Sequence, residues 1–236
     1  MSNDHFRFRE FTIRQHRCAM KVGTDGTLLG AWAVAPSGPC RILDIGTGTG
    51  LIALMMAQRF PKACLVGIDI DPDAVTQARE NVMESPFSER ITIRQTDAAT
   101  FQDAEGFDAI VCNPPYFADS LTCPDAHRTT ARHAVSLSFE ALCSSAFRLL
   151  KSDGIFSVVI PADRRSSLEA SACLAGFFLS RVCLVRTKSL KPPKRQLIEF
   201  RKQTVSQLDI SEGIIEISTG VRSPWYKQLT QAFYIR

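Results

Sequence analysis

The chain has 236 residues, 45% hydrophobic and 22% charged, a composition that excludes a disordered chain and suits one sizeable core. No apolar run approaches a bilayer span and the polar start, Met1 to Arg17, lacks the apolar core of an export signal, so a cytoplasmic protein without a membrane segment is expected. Eight cysteines at least ten residues apart give no C-x-x-C spacing, so buried thiols and no metal centre are expected; a net charge of +4 leaves a polyanionic partner open.

In chain order, residues before Arg41 break the pattern that follows and form an extension, 1–40, in which Val22-Gly23-Thr24-Asp25-Gly26 is turn chemistry before a helix from Thr27 to Val34. From Arg41 onward, short β-branched runs alternate with helical periodicity, which predicts an α/β domain over 41–236 built on a parallel sheet. Strands are predicted at Arg41 to Ile45, Ala63 to Ile68, Arg90 to Gln95 and Phe107 to Cys112. Helices are predicted at Thr49 to Arg59 and, with Asp71 as N-cap and Pro72 at the first position, at Pro72 to Glu84.

A helix over Ser138 to Leu150, a turn at Asp153-Gly154 and a strand from Ile155 to Ile160 continue the alternation. After a helix from Asp163 to Leu174, Phe178 to Arg186 and Gln196 to Lys202 have no helix between them and read as an antiparallel hairpin. Its connection, Thr187 to Arg195, is long for a hairpin and marks a candidate functional loop. Gly220 to Arg236 ends in a short aromatic helix that docks on the body.

Leu43-Asp44-Ile45-Gly46-Thr47-Gly48-Thr49-Gly50 falls where a strand ends and a helix begins, the place where glycines let backbone approach a ligand. Leu51 stands where a G-x-G-x-x-G fingerprint needs its last glycine, which weakens a dehydrogenase reading. Asp69 and Asp97 close the next two strands, so three acids line the carboxyl edge of the sheet, where open α/β sheets bind ligands. A carboxylate at Asp69 can accept from two ribose hydroxyls.

Asn113-Pro114-Pro115-Tyr116 follows the fourth strand. An aromatic amino nitrogen is a poor nucleophile, and two acceptors, the Asn113 side-chain oxygen and the Pro114 carbonyl, can take its hydrogens and aim its lone pair. The prolines stiffen the backbone and Tyr116 supplies a face on which a base stacks.

The positive charge is unevenly placed. Residues 5–21 (Arg7, Arg9, Arg14, Arg17, Lys21 against Glu10) and 186–202 (Arg186, Lys188, Lys191, Lys194, Arg195, Arg201, Lys202 against Glu199) hold twelve of 28 basic and two of 24 acidic residues. Sixteen basic against twenty-two acidic residues remain, so the basicity is concentrated as a nucleic-acid partner requires, although a solvated face fits equally well. Arg7, Arg9, Arg14, Arg17, Lys188, Lys191, Lys194 and Arg195 are the candidate contacts to such a partner.

The glycine loop resembles motif I of class I methyltransferases, and the Asn113 tetrapeptide resembles motif IV of those that act on planar nitrogens. With Phe11 through Trp32, including Arg17-Cys18-Ala19-Met20-Lys21-Val22-Gly23-Thr24-Asp25-Gly26, and with Leu229 to Tyr234, the whole chain is similar to the bacterial tRNA1(Val) (adenine(37)-N6)-methyltransferase family. That resemblance implies a Rossmann-like sheet of seven strands with helices on both faces and a C-terminal antiparallel hairpin. It implies S-adenosylmethionine as cofactor, held by Asp44, Gly46, Gly48, Gly50, Asp69, Asp97 and Ala98, with Lys21, Thr24 and Asp25 from an N-terminal extension that closes the site. Asn113, Pro114, Pro115 and Tyr116 are the implied catalytic residues, an adenosine beside the anticodon of a valine tRNA the implied acceptor, and no obligate protein partner is expected. Two departures are Phe117, where another tyrosine is expected, and Asp69, where glutamate is frequent. The rival reading keeps the fold and methylates a glutamine side chain of a translation protein; a non-catalytic RNA chaperone is the second rival.

Overall fold

The computed structural model describes residues 4–18, 21–115 and 137–235. Tyr116, Phe117, Arg128, Arg132 and His133, together with Ala19 and Met20, lie outside the described residues.

The chain opens with a hairpin, β1 (His5–Arg7) and β2 (Thr12–Arg14), and a helix, α1 (Thr24–Trp32). The alternating body is β3 (Cys40–Ile45), α2 (Leu51–Arg59), β4 (Ala63–Asp69), α3 (Pro72–Met83), β5 (Ile91–Gln95) and β6 (Phe107–Cys112). Then come α4 (Phe139–Leu149), β7 (Leu150–Pro161), α5 (Arg165–Ala175), β8 (Phe178–Lys188) and β9 (Pro193–Arg201). The last elements are β10 (Asp209–Ser218), β11 (Val221–Arg222) and α6 (Pro224–Thr230).

One sheet of nine strands runs in the order β11-β10-β8-β9-β7-β6-β3-β4-β5. Its central strands β7, β6, β3, β4 and β5 are parallel, and β9 lies antiparallel between β7 and β8. These seven strands are the expected Rossmann-like sheet with its terminal hairpin. β10 continues it parallel to β8 and β11 folds back on β10.

Side-chain alternation of period two divides the core in two. Ile42, Ala109 and Val111 face α1, α2 and α3, while Leu43, Ile45, Ile110 and Cys112 face α4 and α5. Leu51 to Ala57 are buried all round α2, since the helix is covered by α1 as well as by the sheet. The close approach runs through Gly30, where a Cβ would stand 2.8 Å from Met55 Sδ.

Three boundaries differ from expectation for identifiable reasons. α1 starts at Thr24, because Asp25 and Gly26 are accommodated in its first turn after Gly23. Asp153 and Gly154 lie within β7 at an irregular register between Leu150 and Ile155, so no turn separates helix from strand there. The connection between β8 and β9 is four residues, 189–192, because the strands extend into it; Pro193 stands first in β9, a position that tolerates its missing amide. Cys64 and Cys173 are exposed, whereas Cys40, Cys112, Cys143 and Cys183 are buried as expected.

The extension lies against the first helical layer. Phe8, Phe11 and Ile13 are buried, Phe8 stacks 5.9 Å from Tyr234, and the Arg9 amide donates to the Phe233 carbonyl, joining the two chain ends. Asn81 on α3 accepts from the Arg14 amide and donates to both the Arg14 and Thr49 carbonyls, which ties β2 and the glycine loop to one helix. Among the described residues no helix is long and apolar enough to cross a membrane.

Candidate active site

β3, β4, β5 and β6 all end at one edge, and the loops that leave them converge. Gly46, Gly48 and Gly50 have φ of 69°, 55° and 81°, left-handed values that let the chain turn sharply from β3 into α2. At Gly46 a Cβ would meet nothing within 4 Å, so this loop presents bare backbone to open space. At Gly50 a Cβ would lie at an ordinary contact distance, 3.5 Å, from Ala78, so it is the left-handed φ of 81° that calls for glycine there, and Gly50 does not line the cleft above this edge.

A cleft of about 430 Å³ opens above this edge, lined by Gly46, Gly48, Asp69, Asp97, Ala98, Asn113, Pro114 and Pro115. Asp69 is aimed by two loops: its carboxylate accepts from the Gly48 amide of the glycine loop at 2.9 Å and from the Asp71 amide of its own turn at 3.0 Å. Burial raises its pKa, with those amides pulling the other way. Asp97 accepts from the Ala99 amide at 2.9 Å, a local turn that fixes its carboxylate at the end of β5. The cleft also draws in Cys18 from the extension and Leu137 and Ser138 from the start of α4, none of which was a sequence candidate.

Asp44 stands apart from the cleft wall. It is 1% exposed beneath the glycine loop, where one oxygen accepts from the Thr47 hydroxyl at 2.8 Å and the Ala53 amide at 3.2 Å. Its other oxygen is buried with no hydrogen-bond partner among the described residues. Burial pushes its carboxyl up to about 7, against the pull of those two donors.

A second cavity, about 580 Å³, shares Gly46, Gly48 and Asn113 with the first. Lys21, Thr24 and Asp25 line it from the extension, Lys194 and Arg195 from β9, and Glu216 and Arg222 from β10 and β11. Arg195 Nε donates to Asp25 at 2.7 Å, so the hairpin is pinned to the start of α1. Half-buried Asn113 leaves β6 at the junction of the two cavities, between buried Pro114 and the glycine loop.

The remaining sequence-predicted cations divide. Arg14 pairs with Glu84, the C-cap of α3, at 3.0 Å and Arg17 with Glu80 on α3 at 3.3 Å, so these two brace the extension. Lys188 donates to the Thr219 hydroxyl at 2.7 Å, and the Lys191 carbonyl accepts from Arg186 in the β8–β9 turn. Arg7 and Arg9 are exposed on the first hairpin. Arg222 and Glu216 were missed because no alternating run announces β10 and β11; only the bend at Gly220 hints at them.

The donor set fits S-adenosylmethionine. Acidic residues Asp69, Asp71 and Asp97 are the charged lining of the first cleft and suit a cationic sulfonium, while the bare backbone at Gly46 leaves room for its amino acid portion. Among the described residues no three His, Cys, Asp or Glu side chains cluster as metal ligands do.

Comparison with known proteins agrees. The family model "Methyltransferase small domain" matches residues 27–189. The chain is similar to a tRNA1(Val) (adenine(37)-N6)-methyltransferase of Phocaeicola vulgatus, 50% identical over 100% of this chain and 99% of that protein. The protein of the same name from Bacteroides thetaiotaomicron is 45% identical over 100% and 99%. Among solved structures, a predicted O-methyltransferase from Agrobacterium tumefaciens superposes with a TM-score of 0.70 at 23% identity, covering 89% of this chain and 96% of that one, a likeness of fold alone.

Proposed function

The chain belongs to the tRNA1(Val) (adenine(37)-N6)-methyltransferase family, and from that premise we propose that it methylates the N6 amino group of adenosine 37 in tRNA1(Val), in the cytoplasm. The observation that carries the reading is the position of Asn113, shared between an acidic cleft and a second cavity open to an acceptor.

The cofactor supplies an electrophilic methyl group on sulfur. Asp69 would hold its ribose hydroxyls, Asp97 and the Ala98 amide its adenine, and the backbone of Gly46 and Gly48 its amino acid end. Asp44 acts at one remove: through Thr47 and Ala53 it fixes the loop that makes this backbone contact. Lys21, Thr24 and Asp25 would close the site from the side of the extension, where they line the second cavity.

Asn113 Oδ1 and the Pro114 carbonyl accept the two hydrogens of the adenine amino group. That geometry turns the nitrogen lone pair toward the methyl group and stabilises positive charge as it grows on nitrogen. Proline at 114 and 115 holds the carbonyl in place, and the family resemblance gives Tyr116 the role of an aromatic face for the base. Methylation leaves positive charge on an amino nitrogen acidic enough to lose its excess proton to water, so Asn113 and the Pro114 carbonyl need only position and stabilise the nitrogen, and no strong general base is required of this chain.

The test is transfer of labelled methyl from S-adenosylmethionine to total tRNA lacking the modification, followed by mass identification of the nucleoside. N6-methyladenosine in a valine tRNA is expected. Label on protein alone would overturn the reading in favour of glutamine methylation.

A further inference from the structure

We infer that the outer half of the second cavity is the port by which the target nucleotide reaches Asn113, with Lys194, Arg195 and Arg222 holding its flanking phosphates. The inference rests on the RNA reading above and assigns the acceptor's backbone a place on this chain.

The two cavities that meet at Asn113 carry opposite charge. The charged lining of the first is Asp69, Asp71 and Asp97. That of the second is Lys21, Lys194, Arg195 and Arg222 against Asp25 and Glu216, a surplus of two cations. A base attached to phosphates cannot come in past three carboxylates, whereas a cationic rim attracts the backbone and leaves the neutral base to pass inward.

Strand register sets the shape of that rim. Arg195 on β9 stands opposite Val185 on β8, which stands opposite Gly213 on β10, and Glu216 on β10 stands opposite Arg222 on β11. Four adjacent strands spaced about 4.8 Å apart put β9 and β11 about 14 Å from each other, room for a nucleotide and its two neighbouring phosphates.

Each guanidinium is held by an acid on another element. Asp25 fixes Arg195, and Glu216 fixes Arg222 at 3.2 Å while its guanidinium carbon lies 4.9 Å from the Tyr226 ring centre. A held guanidinium loses little freedom on meeting a phosphate oxygen and offers a planar fork of donors to it. Lys194 is exposed at the start of β9 and adds a point charge. β10 and β11, which lie outside the seven-stranded sheet, thereby acquire a purpose: they complete the far wall.

The experiment compares Lys194→Gln, Arg222→Gln and the double variant with the wild type, on tRNA lacking the modification. Lys62→Gln, at an exposed turn before β4, is the control. Cofactor affinity is measured calorimetrically without RNA, steady-state constants with RNA, and log Kd for RNA against log salt. Losing one phosphate contact on a single strand lowers the salt slope by about 0.7, so the double variant is expected to lose about 1.4. Its KM for RNA is expected to rise roughly tenfold or more with kcat changed less and cofactor affinity within about twofold. Wild-type slope and KM in the double variant, with wild-type protein active on RNA, would overturn the port and leave the RNA reading standing. Label appearing only on protein in the wild type would overturn both. Should Arg222→Gln prove unstable through its contact with Tyr226, Lys194→Gln decides: its slope is expected to fall by about 0.7, and an unchanged slope and KM there would overturn the port as proposed.

Discussion

The two cavities that share Asn113 differ in how their charges are held. In the acidic cleft, Asp69 and Asp97 are each fixed by a backbone amide two residues on in their own turns, and Asp69 also by the Gly48 amide of the neighbouring glycine loop. In the cationic cavity, Arg195 and Arg222 are fixed by carboxylates from other elements. A cofactor that never changes can be met by rigid local turns, while a polymeric acceptor needs a rim assembled from several strands. The comparison predicts that damage to the first cavity shows in cofactor affinity and damage to the second in RNA affinity, with Asn113 felt in turnover alone.

The largest effect is expected at that junction. Asn113→Ala should lower kcat on the order of 10²–10³-fold or more, the scale for removing one acceptor or donor aimed at developing charge. Cofactor affinity should stay within a few fold, because the side-chain oxygen is assigned to the target base. Methyl transfer at saturating cofactor checks the first statement and calorimetry the second; normal turnover would remove Asn113 from the chemistry.

Asp69→Ala comes next. Loss of a charge-assisted pair of hydrogen bonds to ribose is worth roughly 1.5–3 kcal/mol, so the dissociation constant for the cofactor should rise about 10- to 100-fold. RNA affinity and its salt slope should not move. A parallel loss of RNA binding would mean the two cavities are not functionally separate.

Asp44 tests the support beneath the glycine loop. Its carboxyl stands at about 7 in the folded protein, above the ordinary 3.8, so the folded state keeps a proton that the unfolded chain has released. Stability from this group is therefore greatest at low pH, falls as pH rises from about 4 to about 7, and is flat above that. Asp44→Asn should shallow the fall in thermal unfolding midpoint across that window. Parallel curves for variant and wild type would mean that the buried carboxyl does not titrate there.

The smallest effects are expected at Arg14 and Arg17. Both side chains and their partners are about half exposed, and such pairs contribute about 0–1 kcal/mol. Arg14→Ala and Arg17→Ala should shift the unfolding midpoint slightly and leave the RNA salt slope near the wild-type value, in contrast to Lys194→Gln. A slope change as large as that of Lys194→Gln would extend the RNA surface onto α3.

Much of the frame was legible along the chain. Phe107 to Cys112 was bounded correctly as a strand, and Asp71-Pro72 opens α3 with the Asp71 side chain accepting from the Asp73 amide. Glycine, proline and capping residues state a local backbone requirement, and such requirements survive folding. The acids Asp69 and Asp97 and the tetrapeptide from Asn113 could be placed for the same reason: a residue at the carboxyl end of a parallel strand has one edge to occupy.

Charge in the basic segments was the less legible part. Twelve clustered cations were countable, yet counting could not distinguish Arg14, spent on Glu84 seventy positions away, from Lys194, which lines a cavity. Nor could it find Arg222, whose place follows from the pairing of β8 with β10. The sequence by itself determined the α/β frame, the glycine loop, the strand-end acids and the Asn113 motif, because each is written in short-range backbone chemistry. Tertiary structure alone decided which cations face the site, that Asp44 lies beneath the loop and that the sheet runs on through β10 and β11. Those outcomes depend on long-range pairing between residues whose spacing along the chain carries no signal.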